Sequence, residues 1–181
     1  YIVMTRALHL DGFMDTIDGF FSHPKNPGKD SILKIMKDPA VGSFAVLGAI
    51  TWALLLTSAV PHLDIKDHVL ILSYSRLSIL LLPLLFSYPR ESGTGKFFVQ
   101  NVKPLTFLLA LLISLAITTA TFFIDRTAPA ETLIPHWGTL MIISLLIALL
   151  IGFWSKRKIG GITGDILGFI IETNFMFLSL L

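Results

Sequence analysis

Long apolar runs constrain this chain more than any other feature of its sequence. A membrane-spanning helix needs about 20 mostly apolar residues, and four stretches meet or approach that length: residues 41–59, 69–87, 104–124 and 138–154. Residues 166–181 form a fifth run, which only Glu172 interrupts, whereas residues 1–21 carry Arg6 and three aspartates. Charged residues make up 14% of the chain, against about 25% in soluble domains. We therefore predict an all-α, polytopic transmembrane helical bundle of about six membrane segments, with the first helix packed inside it.

The connections between these runs alternate in charge. Ten lysines and arginines lie in residues 22–40, 88–103 and 155–165, whereas residues 60–68 and 125–137 carry two. Cytoplasmic loops are enriched in basic residues, so the three basic connections are predicted to face the cytoplasm. This predicts a multi-pass protein of the cell inner (cytoplasmic) membrane with its active site on the cytoplasmic side. The net charge of +2 is too small to imply a nucleic-acid partner, and the absence of cysteine excludes thiolate chemistry.

The strongest chemical signal is a row of acids in the first segment. Helical spacings of four and seven place Asp11, Asp15 and Asp18 within about 60° of one another on one face. Three such carboxylates repel strongly in apolar surroundings unless a cation is present. Hard oxygen ligands suit Mg²⁺, which usually binds substrate phosphate as well. We predict a Mg²⁺ site here, and the alternative is a solvated acidic helix end.

A second group of charged residues lies just before the apolar run 41–59 and within the run 69–87. Lys34, Lys37 and Asp38 follow a short basic amphipathic stretch, and they are candidate ligands for substrate phosphate. Anchoring of the membrane segment by positive charge explains the lysines equally well. Arg76 is a cation in the middle of the third segment, where it would bind a phosphate or pair with one of the acids.

A glycine-rich stretch opens the last segment. Gly160, Gly161, Thr163 and Gly164 resemble phosphate-cradling loops in their physics, and Asp165 follows them. The alternative for Asp165 is a helix N-cap. Glu172 lies seven residues further on the same helix face, and an intramembrane carboxylate is a functional candidate. Its alternative role is a buried ion pair, for example with Arg76.

Three of these blocks resemble the signature of the cobalamin synthase family, also called adenosylcobinamide-GDP ribazoletransferase. The blocks are His9-Leu10-Asp11-Gly12-x2-Asp15-Thr16-x-Asp18-Gly19, Ile35-Met36-Lys37-Asp38-x3-Gly42, and Gly160-Gly161-x-Thr163-Gly164-Asp165-x2-Gly168 with Glu172 after it. Ser75-Arg76 and the glycines at 93 and 95 also match that family in position. The similarity covers nearly the whole chain in the same order.

The resemblance implies an enzyme that transfers the cobinamide phosphate of adenosylcobinamide-GDP to alpha-ribazole or its 5'-phosphate, with Mg²⁺ and release of GMP. It also implies that residues 1–181 form a single integral membrane transferase domain, the C-terminal part of a longer enzyme whose N-terminal part is missing here. The oligomeric state stays open, including a homo-oligomer.

On this interpretation, Asp11, Asp15 and Asp18 hold Mg²⁺, and the candidate catalytic acids are Asp18, Asp165 and Glu172. Either Asp18 or Asp165 would accept a proton from the ribazole hydroxyl. Two rival functions share some of these features. A CDP-alcohol phosphatidyltransferase also uses Asp-Gly motifs and Mg²⁺, but with longer spacings and an Ala-Arg pair. An ion-coupled transporter would favour acids near the bilayer midplane and an internal repeat.

Overall fold

The structure, a computed structural model, describes residues 5–23, 28–124 and 130–181. Within these ranges the chain forms eight α-helices, and short 3₁₀ turns at Val60–His62 and Leu82–Leu84 extend the third and fourth. The helices are α1 Leu8–Phe21, α2 Lys29–Ile35, α3 Ser43–Ala59, α4 Ile65–Leu81, α5 Thr94–Asn101, α6 Pro104–Ile124, α7 Ala130–Ile159 and α8 Gly164–Leu178. The all-α prediction is confirmed.

Four helical stretches are long and apolar enough to cross a membrane. They are Ser43–His62, Ile65–Leu84, Pro104–Phe123 and Ile134–Ile159. Large apolar side chains such as Leu108 and Leu112 of α6 are exposed, as expected where lipid covers the helix. The prediction of a membrane protein is thus confirmed. Because α1 has 14 residues and α8 has 15, both are shorter than a typical span, and the number six stays a prediction.

Helices α1 and α8 pack against each other in the middle of the bundle. A Cβ on Gly12 would lie 2.9 Å from the Cα of Asp165, and one on Gly168 would lie 2.8 Å from the carbonyl oxygen of His9. Only glycine permits so close a backbone approach. Since residue 12 lies beside 165 and residue 9 beside 168, the two helices are antiparallel. The start of α8 therefore lies beside the acid-bearing part of α1.

The three basic connections meet at one end of the bundle. Ile162 N donates a hydrogen bond to Ser87 O at 3.0 Å, and a Cβ on Gly160 would lie 3.4 Å from Lys29 Nζ. We call this end, formed by residues 28–42, 85–103 and 160–163, the basic end. Its composition agrees with the alternation of charge along the chain. Two basic residues in that count, Lys25 and Arg126, lie outside the described residues.

The glycines and charges of residues 88–103 fit a mobile substrate loop or a solvated connector in the sequence, but the structure shows a connection that packs against the bundle. Part of this connection is helix α5, whose Val99 is buried and whose Phe98 packs against the apolar core around Ile162 and Ile166. A Cβ on Gly95 would lie 2.6 Å from Gly164 N. The glycines that suggested mobility instead allow close packing, which holds this connection against the start of α8.

Candidate active site

Three carboxylates come together where α1 meets the start of α8. Asp11 is exposed, Asp15 is half-buried, and the side chain of Asp165 is 23% exposed. Asp15 lies within electrostatic range of both other acids and of Arg90. We call Asp11, Asp15 and Asp165 the acid cluster. The antiparallel packing of α1 and α8 creates it, because it brings residues from opposite ends of the chain together.

Arg90 provides the positive charge closest to this cluster. Its Nη1 donates to Asp165 Oδ2 at 3.0 Å, and Thr163 Oγ1 donates to the same oxygen at 3.2 Å. Burial raises the pKa of Asp165 above the usual aspartate value, while Arg90 acts in the opposite direction. Thr163 Oγ1 also accepts a hydrogen bond from Ile166 N at 3.4 Å. Thr163 is therefore the N-cap of α8, and the alternative prediction that Asp165 is the N-cap is wrong.

Asp18 has different partners from the acid cluster. It is 7% exposed, and its two carboxylate oxygens accept hydrogen bonds from Gly42 N at 2.5 Å and Ala45 N at 3.2 Å. These amides belong to the N-terminal end of α3, whose own N-cap residue, Gly42, has no side chain. Asp18 thus serves as a cap supplied from another helix. A Cβ at Gly42 would overlap its carboxylate.

The donor set suits Mg²⁺, although its geometry is not a closed cage. In the described part of the chain, no three His, Asp or Glu side chains are placed to enclose a metal ion. Mg²⁺ usually takes only one or two protein carboxylates, and substrate phosphates and water complete its shell. The acid cluster offers the oxygens of three carboxyl groups, and Arg90 is bonded to one of the three, Asp165. These residues therefore fit a divalent cation that binds together with a phosphate-bearing substrate.

Two of the predicted phosphate ligands, Lys34 of α2 and Lys37 shortly after this helix, border a cavity at the basic end. The cavity has a volume of about 480 Å³ and is lined by Lys29, Asp30, Leu33, Lys34, Lys37, Pro89, Arg90 and Glu91. We call it the basic cavity. Lys34 and Lys37 are exposed and line this cavity, and their binding of phosphate stays a prediction. Asp38 instead accepts a hydrogen bond from Ala40 N at 2.9 Å, which is a turn within the chain.

The glycine-rich stretch packs against protein backbone. Gly160 has a φ of 85°, a left-handed conformation that favours glycine at the end of a helix. A Cβ on Gly161 would overlap Ser87 O, and one on Gly164 would lie 3.4 Å from the Cα of Gly95. The open sides of Gly161 and Gly164 are therefore covered. Contact of this stretch with phosphate stays a prediction, and the structure gives its glycines a packing role.

Glu172 is buried inside the bundle, whereas Arg76 is half-buried on α4 and lies within electrostatic range of His9. Glu172 is 1% exposed and accepts a hydrogen bond from Trp52 Nε1 at 3.0 Å. Seven residues separate it from Asp165, which is about 10 Å along a helix. Arg76 Nη1 donates to Ser75 Oγ at 2.9 Å and to Leu72 O at 3.3 Å. These two predicted site residues therefore do not border the basic cavity.

Sequence reasoning did not place Arg90 among the site residues. Arg90 follows Pro89 in a connection that is rich in basic residues. The enrichment of cytoplasmic loops in lysine and arginine already explains a basic residue at this position. The partner of Arg90 is 75 residues away in the sequence. Only the folded arrangement shows that its guanidinium reaches the acid cluster.

Comparison with known proteins agrees with these observations. The chain matches the family described as cobalamin-5-phosphate synthase over residues 1–181. A relative from Fusobacterium nucleatum, named adenosylcobinamide-GDP ribazoletransferase, is 35% identical over 189 residues, which cover 96% of this chain and 67% of the relative. Relatives of the same name from Clostridium botulinum and Chlorobium phaeovibrioides are 36% and 37% identical, over 92% and 98% of this chain and 63% and 69% of their own lengths. No solved structure matches the chain significantly.

The chain thus spans about two thirds of the length of these relatives. The family that its three sequence blocks indicated is confirmed, and so is the class of enzyme that the family name implies. Neither rival function finds support in these matches. The chain belongs to the cobalamin-5-phosphate synthase family.

Proposed function

We propose that this chain carries the catalytic centre for Mg²⁺-dependent transfer of the cobinamide phosphate from adenosylcobinamide-GDP to alpha-ribazole or its 5'-phosphate, with release of GMP. One observation carries the proposal. The packing of α1 on α8 brings Asp11, Asp15 and Asp165 together beside the basic end of the bundle. Transfer of a phosphate group from a pyrophosphate-bearing substrate needs both features, because acids hold the cation and bases hold phosphate.

Asp11 and Asp15 are the residues that would hold the cation. They lie one helical turn apart on α1, where Asp11 is exposed and Asp15 is half-buried. Mg²⁺ bound there would neutralise charge on the pyrophosphate of adenosylcobinamide-GDP and on the departing GMP. A cation bound between these two carboxylates would relieve their mutual repulsion. Asp18 would stabilise the site indirectly, since it fixes α1 against α3.

Asp165 is the carboxylate that we assign to accept a proton from the ribazole hydroxyl, because Asp11 and Asp15 would hold the cation and Asp18 is bonded to the amides of α3. A general base works best when its pKa lies close to the working pH, and burial raises the pKa of Asp165 towards that range. Thr163 and Arg90 hold the same oxygen, Oδ2. Oδ1 is then the atom left to face a substrate hydroxyl. Glu172 would act only through the packing of α8, since it lies about 10 Å along the helix.

Turnover by the purified protein in lipid nanodiscs tests this proposal. With adenosylcobinamide-GDP and alpha-ribazole, we expect GMP release in Mg²⁺ and none after EDTA treatment. Asp15→Asn should lower kcat by at least about 100-fold, the range over which loss of one transition-state electrostatic contact acts. Asp64→Asn is the matched control, since Asp64 is an exposed carboxylate paired with Lys66 at 3.2 Å. Wild-type turnover by Asp15→Asn would contradict the cation role.

We further propose that the basic end faces the cytoplasm, where nucleotide substrates are made available. The chain contains no cysteine, so single cysteines report topology without a background. Lys34→Cys should be labelled by an impermeant maleimide only in inverted membrane vesicles, and Lys66→Cys only in intact cells with a permeabilised outer layer. The opposite labelling pattern would reverse the orientation.

A further inference from the structure

We infer that Arg90 is a ligand for substrate phosphate that reaches from the acid cluster into the basic cavity, so that one guanidinium joins the metal-binding carboxylates to the bound anion. The inference rests on the proposed function and adds a residue to it. It assigns a role to a side chain that the sequence blocks do not include. The ligand chemistry is a phosphate or pyrophosphate group of one of the two substrates.

The first observation is the state of the guanidinium itself. The side chain of Arg90 is 9% exposed, and Nη1 is bonded to Asp165. Nε and Nη2 are buried and have no hydrogen-bond partner in the described part of the chain. These two atoms carry three of the five donors of a guanidinium. Buried donors are almost always paired in folded proteins, so this edge of Arg90 is prepared for an acceptor that joins later.

The second observation is the position of Arg90 in the wall of the basic cavity. The basic cavity has a volume of about 480 Å³, which lies within the range of about 300–1,000 Å³ that is usual for small-molecule sites. The lining includes four basic residues, Lys29, Lys34, Lys37 and Arg90, against the acids Asp30 and Glu91. The formal charge of the lining is therefore positive, which suits an anion. Lysines contribute point charges there, whereas the planar fork of Arg90 suits two phosphate oxygens.

The third observation links the cavity to the chemistry. Arg90 lies within electrostatic range of Asp15 as well as being bonded to Asp165. A phosphate held on its free edge would therefore lie next to the carboxylates proposed to hold Mg²⁺ and accept the proton. A purely structural ion pair would need neither an unpartnered edge nor a cavity beside it.

Binding of inorganic pyrophosphate to the purified protein in nanodiscs, measured calorimetrically with and without Mg²⁺, tests the site directly. Arg90→Lys keeps the positive charge but loses the fork, and Arg90→Gln loses both. We expect Arg90→Gln to weaken pyrophosphate binding by about 10- to 100-fold, the loss of one to two charge-assisted hydrogen bonds, and Arg90→Lys to weaken it less. Lys103→Gln, a basic residue of the same connection outside the cavity, is the matched control and should bind as wild type does.

Kinetics then identify the substrate whose phosphate Arg90 holds. A rise in KM for adenosylcobinamide-GDP in Arg90→Lys assigns the GDP-linked substrate, and a rise in KM for alpha-ribazole 5'-phosphate, with none for unphosphorylated alpha-ribazole, assigns the acceptor. Unchanged pyrophosphate affinity in a folded Arg90→Gln protein would overturn the inference. A different result would overturn the proposed function instead. In that case the wild-type protein would show no transferase turnover, while its pyrophosphate binding would still depend on Arg90.

Discussion

Replacement of Asp18 by alanine separates a structural role from a metal-binding role. The three aspartates of α1 share one face in the sequence pattern, yet the structure directs Asp18 to the first turn of α3. If Asp18 is a cap, its removal should destabilise the protein whether or not Mg²⁺ is present. If it is a metal ligand, its removal should matter only in Mg²⁺.

The size of the effect follows from the two hydrogen bonds that would be lost. A hydrogen bond to a charged group contributes about 1.5–3 kcal/mol, and the longer bond, 3.2 Å from Ala45 N, lies at the weak end. The negative charge also interacts with the N-terminal end of α3. We expect Asp18→Ala to lower the free energy of unfolding by about 3–4 kcal/mol. For a chain of this size each kcal/mol corresponds to about 2–4 °C in Tm, so the expected fall is roughly 6–16 °C.

The assay is thermal unfolding in detergent, first in EDTA and then in Mg²⁺. Asp18→Ala should show the fall in Tm in both buffers and keep the rise that Mg²⁺ produces in wild type. Asp15→Asn is the matched comparison: it should melt no lower than wild type in EDTA, since it removes a like charge, and it should lose the rise with Mg²⁺. A wild-type Tm for Asp18→Ala in EDTA, together with a lost response to Mg²⁺, would refute the capping argument.

Three further predictions concern the packing and charge of α8. Gly168→Ala should destabilise the protein by about 1–3 kcal/mol, because the new Cβ would lie 2.8 Å from His9 O, whereas Gly138→Ala meets no atom within 4 Å and should melt as wild type does. Thr163→Ala should lower the free energy of unfolding by about 1 kcal/mol through loss of the helix cap, and Thr163→Ser should restore most of it, as denaturation curves would show. Burial raises the pKa of Asp165, so in EDTA its contribution to stability should be present at low pH and be lost as the pH rises above the usual pKa of aspartate. The measurement is a series of thermal melts at different pH values. If Asp165→Asn leaves the slope of Tm against pH unchanged, the prediction is wrong.

The sequence predicted the membrane class, the family and the acids of α1 because each depends on local information. Apolar run length and helical spacing are properties of neighbouring residues, and they led directly to the four spans and to Asp11 and Asp15. The hydrogen-bond partner of Asp18 could not be predicted in this way, because Gly42 N lies at the start of a different helix, α3. The N-terminal end of α3 needs a cap from elsewhere because its own N-cap residue, Gly42, has no side chain. Helix α5 was missed for a related reason, since its Val99 is buried by contacts distant in sequence.

The different partners of the four acids explain which of them is available for a cation. Asp18 is satisfied by backbone amides of α3, and Asp165 by Arg90 and Thr163. Asp11 and Asp15 are the pair whose charge is least offset by these contacts, and Asp15 lies within electrostatic range of Arg90. A cation that joins them to a phosphate on Arg90 would also strengthen the contact between α1 and α8. On this proposal the same charges would couple substrate binding to the assembly of the two ends of the chain. We therefore expect Mg²⁺ with pyrophosphate to slow hydrogen exchange at both α1 and α8, and unchanged exchange in the wild-type protein would contradict the coupling.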